Sequence, residues 1–166
     1  MSYKIGDRVV HPAHGVGSIV GLAERGFGGG VERLYYEIAI PGGMVWVPVN
    51  GPQATRLRPL TDRQELNRYR KLLKSPPELL DQDHRKRQID LSERLREGSF
   101  KVLCEIVRDL TARGRQKPLN QADSTWLRRA REVLCQEWAV VAGVSLEDAN
   151  EELETILHES SELNLK

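Results

Sequence analysis

The 166-residue sequence predicts an α+β protein, a small curled β module followed by an all-helical module of about five helices. Two observations lead there. Through residues 5–58, apolar residues alternate with period two in short runs split by glycine and proline. Beyond Pro59 the apolar spacing becomes that of amphipathic helices, with stop signals between them. The expected division is residues 1–60 and residues 61–166.

In the first part, Arg8-Val9-Val10 is a short apolar run bounded by Gly6-Asp7 and Pro12. Gly15 to Leu22 alternates small or polar residues with β-branched ones, and Leu34 to Ile40 is aromatic and β-branched. Pro41-Gly42-Gly43 is turn chemistry, and Met44 to Val49 follows as another strand. Gly26-Phe27-Gly28-Gly29-Gly30 reads as a flexible hairpin tip. A sheet of four or five such short strands must curl to bury one face, and a small SH3-like or Tudor-like barrel fits this length.

In the second part, Thr61 reads as an N-cap with Gln64 at the capping-box position, ahead of a stripe of Leu66, Tyr69, Leu72 and Leu73. Ser75-Pro76-Pro77 stops that helix. A second helix covers Asp83 to Arg96 and ends at Gly98; a third runs from Phe100 to near Gly114. Asn120 caps a long fourth helix ending at Gly143, and Ser145-Leu146-Glu147-Asp148 begins a fifth with acidic residues in its first turns, where the helix dipole favours them.

Hydrophobic residues are 39% and charged residues 30%, enough for a core but with much surface to solvate, which favours a divided architecture. No apolar run approaches the length that crosses a bilayer, and the N-terminus has no apolar h-region, so the expected location is the cytoplasm. Cys104 and Cys135 sit among apolar neighbours and read as small buried hydrophobes, with no CxxC or Cys/His cluster to suggest zinc. Residues 1–60 carry 6 basic and 4 acidic side chains, residues 61–117 carry 15 and 10, and residues 118–166 carry 4 and 10. The segments thus hold charges of +2, +5 and −6, and the basic middle hints at a polyanion partner. Two solvated helical surfaces of opposite sign would give the same count.

No catalytic constellation stands out. GxSxG, HExxH and Walker A patterns are absent, and no helix opens after the Gly26–Gly30 stretch to present its amides to a phosphate. His11 and His14 flank Pro12-Ala13 without a third ligand nearby, so neither a metal nor another cofactor is expected. Binding is the remaining class. Trp46 alternates with Val45 and Val47; if the valines face the core, Trp46 is exposed as a protein hot spot, and otherwise it packs under the helices. His84-Arg85-Lys86-Arg87 is the densest basic run, at the start of a helix, where long side chains reach phosphates. Arg128, Arg129 and Arg131 form a second cluster.

Several segments together resemble the CarD/CdnL family of bacterial transcription regulators. Ile5-Gly6-Asp7-Arg8-Val9-Val10-His11-Pro12-Ala13-His14-Gly15-Val16-Gly17 is similar to the family's opening, and Val45-Trp46-Val47-Pro48-Val49 to its last barrel strand. Leu95 to Phe100 and Glu105 to Leu110 resemble its helix junction and Val-Arg-Asp-Leu helix, and Leu119 to Leu134 its next helix. The resemblance implies a Tudor-like N-terminal domain that binds the β subunit of RNA polymerase. It also implies a helical domain touching promoter DNA at the upstream edge of the transcription bubble, which stabilises the open complex, in a non-enzymatic, monomeric protein. Arg25 matches a family arginine at the polymerase contact; Trp46, ahead of Val47-Pro48, falls where members place an arginine or an aromatic. The family's minor-groove wedge, a tryptophan fourteen residues before the junction glycine, is His84 here. Two further basic family positions are Ile89 and Ser124, while Lys86 and Arg87 match basic positions. Arg128 and Arg129 are expected to compensate, and Arg85 to join the phosphate contacts.

Two other readings stay open. One is a protein-only adaptor that keeps the polymerase-binding module but recruits a protein through its helices, for which the His84 departure and acidic tail speak. The other is a Tudor-like module for RNA or a methylated peptide. An aromatic cage for such a peptide would draw on Tyr35, Tyr36 and Trp46, and the adjacent tyrosines point to opposite faces.

Overall fold

The computed structural model describes residues 2–52 and 56–164, the last by its backbone alone. The chain divides into two compact units, Met1–Leu60 and Thr61–Lys166.

The first unit is a five-stranded antiparallel sheet of order β4-β3-β2-β1-β5, with β1 Arg8–His11, β2 Gly15–Arg25, β3 Arg33–Ile40, β4 Gly43–Pro48 and β5 Arg58–Pro59. It curls but does not close, since no ladder joins β4 to β5 among the described residues. The expected barrel is therefore an open sheet with β4 as an edge. Val9, Ile19, Tyr36, Ile38, Val47 and Leu57 form its core on the concave face. Tyr3 adds to it: its N–H donates to Tyr36 Oη at 3.0 Å and its hydroxyl to the Leu57 carbonyl at 3.1 Å. Gly17 sits where strands cross so closely that a Cβ would meet Ile38 Cγ2 at 2.6 Å and the Ala39 carbonyl oxygen at 3.0 Å. The Gly26–Gly30 tip is a short 3-10 turn over Phe27–Gly29 rather than a loose loop.

The second unit holds α1 Leu66–Lys74, α2 His84–Glu97, α3 Phe100–Gln116, α4 Gln121–Ala142 and α5 Leu146–Asn164. Their starts follow local capping. Asp83, Ser99 and Asn120 accept from the amides of Lys86, Val102 and Asp123, and Ser145 from Asp148. The first cap lies one residue later than expected: Asp62, not Thr61, accepts from the Gln64 amide, and a 3-10 turn over Arg63–Glu65 precedes α1. The Thr61 amide instead donates to the buried Glu137 carboxylate at 2.8 Å. Gly98 and Gly143 end α2 and α4 in the left-handed conformation, at φ 66° and 72°. Gly114 does not stop α3, which runs to Gln116, because Leu119 packs against it. The core joins Leu91 and Leu95 of α2, Leu103, Ile106, Val107 and Leu110 of α3, Leu134 and Trp138 of α4, and Leu153, Ile156 and Leu157 of α5. Cys104 and Cys135 are buried and form no disulfide, and burial pushes the Cys135 thiol up to about 11. No helix is long and apolar enough to cross a membrane among the described residues.

Candidate functional site

The β unit gathers its singled-out residues on one face, whereas the helical unit spreads them over α2 and α4. In the β unit, cross-strand register decides which side chains share a face. Tyr35 lies opposite Ala23 and Pro48, Glu37 opposite Trp46, and Ala39 opposite Met44. Because Tyr36, Ile38 and Val47 face the core, their neighbours Tyr35, Glu37 and Trp46 face outward. Trp46 therefore lies on the outer face of the sheet, 38% exposed, with Val47 on the core face. Its indole N–H donates to Glu37 Oε2 at 3.2 Å, which fixes the ring on the sheet.

Phe27, a residue the hairpin-tip reading passed over, completes this face. The 3-10 turn brings its ring back over the strands, to 5.0 Å from Tyr35 in an edge-to-face contact and 6.1 Å from Trp46. It remains 55% exposed. The three rings fill one another's faces, making a continuous apolar ridge rather than a vacant slot for an ammonium group, which disfavours the methylated-peptide reading. Exposed Met44 extends the ridge along β4. Arg25 pairs with Arg33 in the ladder two residues beyond Ala23 and Tyr35, so both arginines border the ridge on the same face. Pro48 lies opposite Tyr35 in the ladder and so on the same face, but it is buried, which leaves it without the exposed surface that its expected role as a polymerase contact needs.

In the helical unit the start of α2 carries the basic run. His84, Arg85 and Lys86 are exposed. Arg87 is not: it is 3% exposed and its Nε lies 3.1 Å from Asp123 Oδ1, with Asp123 1% exposed. This corrects its expected role as a DNA contact. The cause is helical phase, since Arg87 falls on the stripe of Leu91 and Leu95, four and eight residues on, that α2 turns inward. Its Nη1 donates to the Asp81 carbonyl at 2.9 Å, closing the loop before α2. Asp123 also accepts from Gln88 Nε2 at 2.9 Å and lies 3.5 Å from Arg113 Nε, so one carboxylate ties α2 and α3 to the first turn of α4.

His84 is positioned by the same network. Its Nδ1 is 3.4 Å from Arg87 Nη2 and 3.3 Å from Asn120 Nδ2. A guanidinium can only donate, so Nδ1 accepts and the other nitrogen, Nε2, carries the ring proton. The His84 ring is thus anchored to the α4 cap. Ile89 is exposed three and four residues after Lys86 and Arg85, so the basic surface of α2 has an apolar member. Arg128 and Arg129 are exposed on α4, about 12 Å along that helix from Asn120, so they form a separate basic surface rather than one cluster with His84. Ser124 is exposed between them. Arg131 is held by Glu154 at 2.6 Å.

The His11 and His14 rings lie 4.7 Å apart at a tilt of 47°, and His11 Nδ1 accepts from the Ala13 amide at 3.0 Å. Burial, with His14 and Arg56 adding to it, lowers the His11 pKa to about 4. Among the described residues no group of three or more His, Cys, Asp or Glu is placed to hold a metal ion.

Comparison with known proteins finds two domain models that match successive parts of the chain. A model of the CarD-like/TRCF RID domain matches residues 3–61, and a model of the C-terminal domain of CarD matches residues 68–154, more than half of the chain by itself. A Bacillus subtilis (strain 168) protein named as a candidate transcription factor, YdeB, is 26% identical over 144 residues, covering 86% of this chain and 94% of its own length.

Proposed function

We propose that this chain, which belongs to the CarD family and is a transcription regulator rather than an enzyme, binds the β subunit of RNA polymerase through residues 1–60 and promoter DNA through residues 61–166. The observation that carries the first half is the outward ridge of Phe27, Tyr35 and Trp46 bordered by Arg25, on a domain of the RID type. An exposed aromatic ridge beside an arginine has the composition of a protein hot spot, and β4, an edge strand of the sheet, runs along it. The second half rests on the exposed His84, Arg85 and Lys86 at the head of α2, with Arg128 and Arg129 as a further basic surface. These side chains lower the free energy of a phosphate contact, and their effect falls with salt. The protein acts as a monomer in the cytoplasm and lengthens the life of the open promoter complex.

Arg25→Glu tests the polymerase half. It is exposed, so the fold should persist while affinity for a polymerase β fragment falls. Unchanged affinity would remove the ridge from the interface. The protein-only adaptor is favoured by one observation, the withdrawal of Arg87 into the core, which leaves α2 one phosphate contact poorer. Under that reading polymerase binding persists but DNA affinity does not depend on Lys86.

A further inference from the structure

The helical unit contains a cleft of about 640 Å³ that none of the interactions above uses. Its apolar wall is Pro76 and Pro77 from the turn after α1, Ala112 of α3 and Leu157 of α5. Its polar groups are chiefly two arginines of α3, Arg108 and Arg115, with Ser160 and Ser161 on α5, and among the described residues no carboxylate lines it. That size is within the range of small-molecule sites, and so is the pattern of an apolar wall with a few convergent polar groups.

The two arginines are built into the fold in different ways. Arg108 is 6% exposed; its Nε donates to Asp109 Oδ1 at 2.8 Å and its Nη1 to Ser75 Oγ at 2.8 Å. Asp109 in turn accepts from the Glu78 amide at 3.0 Å, so the guanidinium is fixed in orientation and its charge is locally balanced. Arg115 donates through Nη2 to the Leu157 carbonyl at 2.8 Å and has no carboxylate partner among the described residues. A guanidinium has five N–H groups, so after these bonds both side chains keep donors for a ligand. With Arg108 balanced by Asp109, the cleft holds a net charge near that of one arginine.

We propose that this cleft binds a small amphipathic monoanion, a carboxylate on an apolar body. The carboxylate sits against Arg115 and the remaining donors of Arg108, and the apolar body lies on Pro76, Pro77, Ala112 and Leu157. Planar carboxylates match the guanidinium fork, and a single negative charge matches the balance of the site.

The test uses octanoate as the probe on the isotope-labelled full chain, followed by amide and arginine side-chain NMR. Saturable shifts at Ala112, Leu157 and Ser160 at millimolar octanoate are expected, with no saturation by octan-1-ol, octylamine or inorganic phosphate. Losing one charged hydrogen-bond partner should weaken octanoate about tenfold in Arg115→Gln. Arg115 is exposed and makes one backbone bond, so this variant should fold, which its amide spectrum reports. Ala112→Phe should abolish binding by filling the cleft. Octan-1-ol binding as tightly as octanoate would refute the anion site, as would undiminished affinity in Arg115→Gln. Absence of saturation by octanoate in the wild type would refute the proposal outright.

Discussion

Replacing Arg87 with methionine distinguishes a residue that builds the α2 surface from one that offers it. The Arg87–Asp123 pair is 3% and 1% exposed, and removing one partner of a buried pair costs about 3–5 kcal/mol. Here Asp123 keeps Gln88 and Arg113, so the expected loss is lower, about 2–3 kcal/mol. With an unfolding entropy of about 2.1 cal/mol/K per residue over a unit of about 100 residues, this corresponds to a melting temperature lowered by about 10–14 °C. Lys86→Met, at an exposed neighbour, should change stability by less than about 0.5 kcal/mol. Urea and thermal unfolding of the full chain, followed by helix circular dichroism, measure both. The double variant Arg87→Met with Asp123→Leu should regain part of the loss, because the stranded carboxylate is then gone. An Arg87→Met variant as stable as the wild type but with lower DNA affinity would make Arg87 a surface contact and refute its structural role.

Three other outcomes follow from the same geometry. Trp46→Ala and Phe27→Ala should each weaken the polymerase β fragment by about 1–2 kcal/mol in a binding titration, and Glu37→Gln less, since the indole N–H keeps an acceptor. Lys86→Glu and Arg85→Glu should each lower the slope of log affinity for DNA against log salt by about 0.9, whereas Ser161→Ala, outside that surface, should leave it unchanged. His11 is held neutral in the fold, at about 4 against the ordinary 6.5, so the unfolded chain takes up its proton first as pH falls. The stability it contributes is present above pH 6.5 and is lost on acidification toward pH 4; His11→Asn, which keeps an acceptor for Ala13, should flatten that part of the stability–pH curve.

The helix ends were legible because each rests on a local signal that no tertiary contact overrides, as with Asp83, Asn120, Gly98 and Gly143. Gly114 misled because its meaning is tertiary: it accommodates Leu119 instead of ending a helix. Alternation alone does not assign Trp46 to a face of the sheet; the burial of Tyr36, Ile38 and Val47 does. Phe27 was invisible because a glycine-rich stretch reads as flexible, and only the turn that folds it over Tyr35 gives it a surface role. Arg87 was readable: Leu91 and Leu95, four and eight residues on, place it on the inward stripe, and its charge drew attention away from that phase. Its partner Asp123 was not, since it lies on a helix 36 residues away in sequence. The arginine-lined cleft also escaped notice, because its walls come from α3, α5 and the turn after α1.

The most direct test of a regulator with two working surfaces is the lifetime of a promoter open complex, formed with polymerase holoenzyme and challenged with a DNA competitor. A longer lifetime is expected with the wild-type chain, lost on Arg25→Glu through polymerase binding and reduced on His84→Ala or Lys86→Glu with polymerase binding intact. A lifetime that the wild-type chain leaves unchanged while it remains bound to the polymerase would contradict the account.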